Sequence, residues 1–362
     1  LLTILSLLGG VVYNHIVEDF YLGAISMRAA NYIVFLFIAS LVIIPRHSSA
    51  VEAVKPKYQM IWVLAHEPSS VFERAAKSFS EEVSKATNGD VVVFVVESKK
   101  HFGRDVGART VIKALQAGEI QLSQTYTTDL AMQSEDLWAL DLPYLFRDHQ
   151  HAEKVLDGKI GKDLLAGLSK HGMHGLAFTY SGGFRILPSV NKPLRRLEDF
   201  KGVKIRTSPS PVAQSTFKAL GADPVVMDID KSVAAMGRGE IDAGESTYPR
   251  YLTLGTEKVA KVLNDTEHSL FLTGVVVNKK FFDSLPASYQ SAIRKAALSA
   301  AKIEREQSIS DGEVAKRESV ASGVKVVTLT EAEKKPLKQA TQSVYAEFKQ
   351  FQPIVDRIRS VR

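Results

Sequence analysis

Two arginines carry the chemistry most open to a ligand. Arg185 follows a strand-like segment, 175–180, and the loose run Ser181-Gly182-Gly183. Arg206 closes a second strand-like segment, 203–206. Ligands of open α/β sheets collect in the crevice beyond the carboxyl ends of strands. A guanidinium fork in that position can hold a carboxylate through two charge-assisted hydrogen bonds. A lone arginine at a strand end more often forms a surface ion pair. Two of them, at corresponding places in one stretch of chain, weaken that reading without deciding between it and a site.

Other chemistries have less support. There is no cysteine, so thiolate catalysis and disulfide staples are excluded. The nine histidines are isolated or sit in patterns such as His149-x-His151 and His171-x-x-His174, without an acidic partner at a metal-binding spacing. No G-x-S-x-G elbow, phosphate loop or dinucleotide fingerprint occurs, so no cofactor is expected. Asp228 and Asp230 share a face if extended, but acid-rich loops more often cap helices. The net charge of +6 raises the question of nucleic acid. Basic residues nevertheless alternate with acids, as in Lys77, Glu81, Glu82 and Lys85. That pattern describes solvated helix faces, and no nucleic-acid partner is expected.

The arginines must be held by strands and helices in alternation. Residues 58–65 and the β-branched run 91–96 read as strands, the second buried on both faces. Between them, Phe72, Ala75, Ala76, Phe79 and Val83 make one helical stripe. A helix over 109–117 leads through Gly118 to a strand at 120–125. The middle repeats this order, with a helix at 211–220, a strand at 225–228, a helix at 231–238 and a strand at 241–243. Ala114–Ile120 and Ala235–Ile241 agree at four of seven positions, each a helix end, a glycine turn and a strand start. The echo favours two lobes of related topology. A strand at 270–278 and one long helix over 287–318 follow, the helix long enough to cross both lobes. The strand 324–329, a capping box at Thr330 and Glu333, and a final helix over 341–357 bent at Pro353 complete the pattern.

Near the start, Met27 and Arg28 precede an apolar run over 32–44, and Ser48-Ser49-Ala50 offers small residues for cleavage. Residues 27–50 are therefore expected to be an export signal, with 1–26 a start-site artefact or a retained anchor.

The chain resembles the extracytoplasmic solute-binding subunits of tripartite ATP-independent periplasmic (TRAP) transporters, in their dicarboxylate-binding, DctP-like branch. The resemblance covers residues 58 to about 350. Its pieces run in order: Asp141-Leu-Pro-Tyr-Leu-Phe146, Gly182-Gly-Phe-Arg185, and Leu197-Glu-Asp-Phe-Lys-Gly-Val-Lys-Ile-Arg206. Leu220-Gly-Ala-Asp-Pro224, Gly239-Glu-Ile-Asp-Ala-Gly-Glu245 and Val277-Asn-Lys-Lys-Phe-Phe-Asp-Ser-Leu-Pro286 follow. Several such pieces in the right order make it specific.

The resemblance implies a two-lobed α/β fold of the periplasmic binding protein kind, with a hinge and a long helix spanning both lobes. Lobe I is expected from 51–182 plus 272–311, and lobe II from 183–271 plus 312–362. It makes Arg206 the main clamp on a solute carboxylate and Arg185 a second contact. Ser246 stands where the family commonly has a ligand-touching asparagine, Val233 where it often has a tyrosine, and Thr207-Ser208-Pro209 departs from the usual run after the clamp. His66, Glu67, Tyr126 and Thr127 are expected to face the cleft from the other lobe. The implied partners are a small organic acid and the membrane subunits of a transporter, in the periplasm. A sensing module that delivers solute to a receptor, and an α/β enzyme acting on an organic acid, are the competing readings. Neighbouring genes for two membrane subunits would separate the first from transport. A general base or metal beside Arg206 would be needed for the second.

Overall fold

A computed structural model describes residues 55–65, 70–104 and 106–362. The expected signal at 27–50 and the candidates His66 and Glu67 lie outside the described residues. The strands are β1 (Tyr58–Leu64), β2 (Val91–Glu97), β3 (Leu122–Tyr126), β4 (Met173–Phe184), β5 (Leu187–Ser189) and β6 (Lys204–Thr207). They continue with β7 (Asp223–Val226), β8 (Ala243–Gly244), β9 (Val262–Asp265), β10 (Leu270–Asn278) and β11 (Lys325–Thr328). One sheet has the order β2-β1-β3-β10-β4 and the other β11-β9-β5-β8-β6-β7.

The two sheets share one plan. In each, a first strand lies between two parallel neighbours, β1 between β2 and β3, and β6 between β7 and β8. An antiparallel strand borders the third, β10 beside β3 and β5 beside β8, and a further antiparallel strand borders that one. The sequence echo marks the same junction in both lobes. Gly118 and Gly239 take φ of 84° and 73°, and the amides of Glu119 and Glu240 close on the carbonyls of Ala114 and Ala235 at 3.0 and 2.9 Å. A helix thus ends on a left-handed glycine and hands the chain to the sheet.

Side-chain periodicity explains the layers. The helix Ser70–Ala86 lays Phe72, Ala76, Phe79 and Val83 on Met60, Trp62 and Leu64 of β1. Trp62 meets Phe79 edge-on at 5.1 Å between ring centres. The run expected to be buried on both faces is not: Phe94 is 47% exposed. β2 is the edge of its sheet, so nothing continues the layer over its outer face.

Three segments connect the lobes. β4 outruns its expected length to Phe184, with a register break that leaves Ser181 and Gly182 out of the ladder, before the chain enters β5. Gly182 has φ of 91°, and a Cβ there would lie 2.3 Å from Thr247 Oγ1, so glycine is required by both conformation and space. The chain returns between β9 and β10. The third connection is the helix Ala287–Ala321. Its Ile293, Ala296, Ala297, Ala300 and Ala301 pack in the core of the first sheet, and Ala315 packs in a core of the second. The long helix therefore spans both lobes, as expected. The C-terminal segment is broken rather than bent. Pro353 sits in the first turn of a separate helix, Gln352–Ser360, whose Val355 and Ile358 join Ala152, Val155 and Leu165 in the core on the first-sheet side. Residues 312–362 were expected with lobe II; Val344, Tyr345 and Phe351, just before this helix, join the same cluster.

The middle of the long helix serves the exposed edge of β4. Glu304 accepts the amide of Tyr180 at 2.8 Å and the Ser308 hydroxyl at 2.7 Å. Arg305 donates to the Phe178 carbonyl at 2.7 Å and to Asp157 at 2.6 Å. Buried backbone groups of an edge strand need such partners. Burial pushes the Glu304 carboxyl up from 4.5 to about 7, against the opposing hydrogen bonds. The folded protein thus retains a proton that the unfolded chain releases, and stability falls as pH rises through this window. Urea unfolding should show this decline, on the order of 3 kcal/mol, and Glu304→Gln should flatten it. Equal slopes for both proteins would remove Glu304 as its source.

Candidate functional site

The crossing segments bring together residues far apart in sequence. Arg206 is the third residue of β6, flanked by Val225 of β7 and Gly244 of β8. Its Nε donates to the Met227 carbonyl at 2.8 Å, and the side chain is 6% exposed. Among the described residues no acceptor engages its two terminal amino groups. Burial lowers this guanidinium to about 10; Glu245 opposes the shift, and Arg185 and Arg250 add to it. It remains a cation at neutral pH.

Arg185 stands at the β4 to β5 crossing, where its amide donates to the Ser269 carbonyl at 2.8 Å. Its guanidinium carbon lies 3.7 Å from the centre of the Phe271 ring, a cation–π contact at the start of β10. Its Nη1 is 3.8 Å from Glu245 Oε1, and its buried Nε has no acceptor. Glu245 follows β8. It also faces His268 Nε2 at 3.3 Å and the Ser208 amide at 3.4 Å. Burial would raise its carboxyl, but the Arg185 charge, the His268 hydrogen bond and Arg206 outweigh burial and hold it at about 2. Burial also lowers the His268 imidazole, against the pull of Glu245. A neutral ring that faces a carboxylate through Nε2 carries its proton there, leaving Nδ1 to accept the Thr266 hydroxyl at 2.8 Å.

Lobe I contributes aromatic rings. Tyr126 ends β3 and stacks on Phe271, with centres 4.8 Å apart and planes 22° apart. Burial raises its phenol pKa, opposed by Arg250, Arg206 and Arg185. A third arginine thus joins the group. Arg250 lies in the short helix Tyr248–Thr253 after β8, 5.6 Å from the Tyr126 ring centre and 5.7 Å from that of Phe271.

Residues 64–351 match the family described as bacterial extracellular solute-binding protein, family 7. This chain belongs to that family. The C4-dicarboxylate-binding periplasmic protein DctP of Rhodobacter capsulatus is 34% identical over 63% of this chain and 67% of its own. The 2,3-diketo-L-gulonate-binding periplasmic protein YiaO of Escherichia coli is 30% identical over 83% of this chain and 88% of its own. Among solved structures, a TRAP periplasmic solute binding protein from Xanthobacter autotrophicus with bound β-D-galacturonate is 28% identical, with a TM-score of 0.75. The match covers 84% of this chain and 100% of that one. One from Sulfurospirillum deleyianum with bound succinate is 26% identical, also with a TM-score of 0.75, over 85% and 100% of the two chains. The fold class expected from sequence, two-lobed α/β with a long shared helix, is the fold of these family members.

Within this family member, the sequence candidates divide. Arg185, Arg206 and Tyr126 come together at the crossing. Thr127 stands beside them, but its hydroxyl donates to the Leu272 carbonyl at 3.2 Å, an anchor for β10. Ser246 exchanges backbone hydrogen bonds with Ile186 at 2.8 and 3.0 Å, and its hydroxyl donates to the Thr247 carbonyl at 3.3 Å. Sequence reasoning passed over Arg250, Phe271 and the Glu245–His268 pair. A signal for Arg250 did exist. The register set by Gly118 and Gly239 carries Tyr126 onto Thr247 and Asp129 onto Arg250, so both short helices after the third strand face the crossing. Glu245 is the acidic residue paired with Arg185 among those described. Removing it as Glu245→Ala should cost about 3 kcal/mol in urea unfolding at pH 7, the cost of leaving a buried cation unpaired. Its pKa is depressed, so its stabilisation is present above 4.5 and is lost as pH falls toward 2. The gap between wild type and variant should narrow accordingly, and a gap independent of pH would exclude charge pairing as the cause.

Proposed function

We propose that this protein is the periplasmic solute-binding component of a TRAP transporter, and that it captures a small organic acid by its carboxylate. The observation that carries this reading is Arg206, a buried cation near the carboxyl end of an inner strand with both terminal amino groups unengaged among the described residues. A buried guanidinium in that state favours a planar anion that accepts two hydrogen bonds. Arg185 supports it from the crossing, and Tyr126 and Phe271 supply the apolar wall. The printed ligands of relatives, C4-dicarboxylates, 2,3-diketo-L-gulonate, β-D-galacturonate and succinate, have a carboxylate in common.

The solute is held without chemical conversion. Glu245, kept at about 2, is too weak a base to take a proton from most carbon or oxygen acids, and His268 is committed to Glu245 and Thr266. Binding gains free energy from contacts to both lobes at once, so solute shifts the balance between open and closed arrangements about the three connections. The closed form then delivers its cargo to the membrane subunits of the transporter.

Calorimetry of the exported protein against succinate, D-galacturonate, D-glucuronate and related acids tests this reading. Arg206→Ala should weaken any bound acid by about 100-fold or more while its circular dichroism and unfolding midpoint stay near wild type. Retained affinity in a folded Arg206→Ala protein would overturn the assignment.

A further inference from the structure

We propose that a second ligand site lies outside the cleft, in a groove along the outer edge of β4, and that it takes an organic anion with an unbranched apolar tail. The groove opens at the start of β4, between the helix Lys159–Ala166 and the long helix, with a volume of about 370 Å³. Small-molecule sites span roughly 300–1,000 Å³. None of its lining residues belongs to the crossing: they fall between 156 and 177 and at 294 and 298, away from Arg185, Arg206 and Arg250.

The local sequence shapes the groove. A Cβ at Gly175 would lie 2.6 Å from Leu165 Cδ2, so glycine lets the helix settle against the strand. The register with β10 breaks between Val275 and Val276, which leaves Leu176 without a partner in the ladder. Further along β4, Glu304 and Arg305 bond the outward Tyr180 amide and Phe178 carbonyl. That cover stops at the groove. Over 174–177, among the described residues, no side chain hydrogen-bonds the backbone of the strand. The walls offer Leu156, Leu165 and Leu298 instead. Leu298 is 39% exposed, although Ala297 beside it is sealed in the core.

Charge decides the occupant. Asp157, Lys162, His174 and Arg294 line the groove. Two of them are committed, Asp157 to Arg305 at 2.6 Å and His174 to Asp283 at 2.8 Å. Lys162 and Arg294 have no carboxylate within ion-pair distance among the described residues. Asp163, next to Lys162 in the chain, is taken by Lys159 and Arg357. The Arg294 guanidinium carbon lies 4.7 Å from the centre of the Phe282 ring, a contact that uses its face and not its N–H donors. An apolar trough with two unmatched cations complements an anionic head on a hydrocarbon tail. An extended peptide is a poorer fit, because the register break at Leu176 interrupts the edge that it would have to pair with.

The test uses straight-chain carboxylates below micellar concentration, butyrate, hexanoate and octanoate, with octanol and octyltrimethylammonium as uncharged and cationic counterparts. Calorimetry should show affinity rising about tenfold for each two methylenes added. Octanol and octyltrimethylammonium should bind at least about tenfold more weakly than octanoate. Changing Lys162→Glu and Arg294→Glu together should weaken octanoate by about 30-fold or more, and Leu298→Asp by about tenfold. All three side chains are on the surface, and an unchanged unfolding midpoint shows that these variants fold. Arg206→Ala should bind octanoate as wild type does, which separates the groove from the cleft whether or not any acid binds the cleft. Octanoate binding that is lost in Arg206→Ala and kept in the groove variants places the tail in the cleft and overturns the inference. So does an affinity independent of chain length, equal binding of the cationic counterpart, or no binding of octanoate by wild type. If octanoate fails while the peptide Ac-Glu-Leu-Val-Leu-Glu-NH2 binds and is lost in the groove variants, the occupant is an extended chain and the inference also falls.

Discussion

Arg185, Arg206 and Arg250 are buried where the chain crosses between its two sheets, with Glu245 paired to Arg185 and its charge also felt by Arg206. Like charges held in low dielectric repel, and taking each from water costs several kcal/mol. Burial is the largest influence on Arg206, which drops to about 10 but stays charged. The surrounding architecture can be understood as a response to that load. Phe271 and Tyr126 present ring faces to the cations, the Met227 carbonyl takes one donor of Arg206, and Glu245 is held ionised by Arg185 and His268. Part of the positive charge remains unmatched within the described protein, and this is the ground for the proposal that an anionic solute binds there.

Concentrating that charge at one place depends on how the lobes are joined. β4 leaves its sheet through Gly182, where a side chain would collide with Thr247, and delivers Arg185 within two residues of β5. The return between β9 and β10 places His268 and Phe271 opposite it. The long helix ties the lobes from behind, and its Glu304 and Arg305 satisfy the outward backbone of β4 close to the first crossing. Polar anchoring of this kind fixes geometry more than it stabilises, since a buried carboxyl pushed up to about 7 opposes folding at neutral pH. The same segment therefore serves as connection, edge protection and mount for the site.

Much of this could be read from local pattern. The stripe through Phe72, Phe79 and Val83 gave its helix to within a few residues, because a helix face is periodic over its own length. The glycine junctions at Gly118 and Gly239 marked equivalent turns for the same reason. Edge position was not legible: the valine run of β2 looks doubly buried, yet Phe94 is half exposed because no strand lies beyond it. In the site, Arg185 and Arg206 announced themselves by following strands. Arg250 sits in a helix of only six residues, Tyr-Pro-Arg-Tyr-Leu-Thr, too short to show a periodic buried face, so that only the echo between Gly118 and Gly239 points to it.

By itself the sequence determined the alternation of strands and helices, the two-lobed plan with its long shared helix, the absence of thiol chemistry, and two of the three arginines. Those properties depend on neighbours within one or two turns of chain. The tertiary structure alone decided that Thr127 would spend its hydroxyl on the Leu272 carbonyl, that Glu245 would pair with His268, and that Arg250 would lose water without gaining an acid. Burial and charge balance are sums over everything nearby in space, and the groups that enter those sums at the crossing come from segments between 126 and 271 that meet only when both sheets are complete.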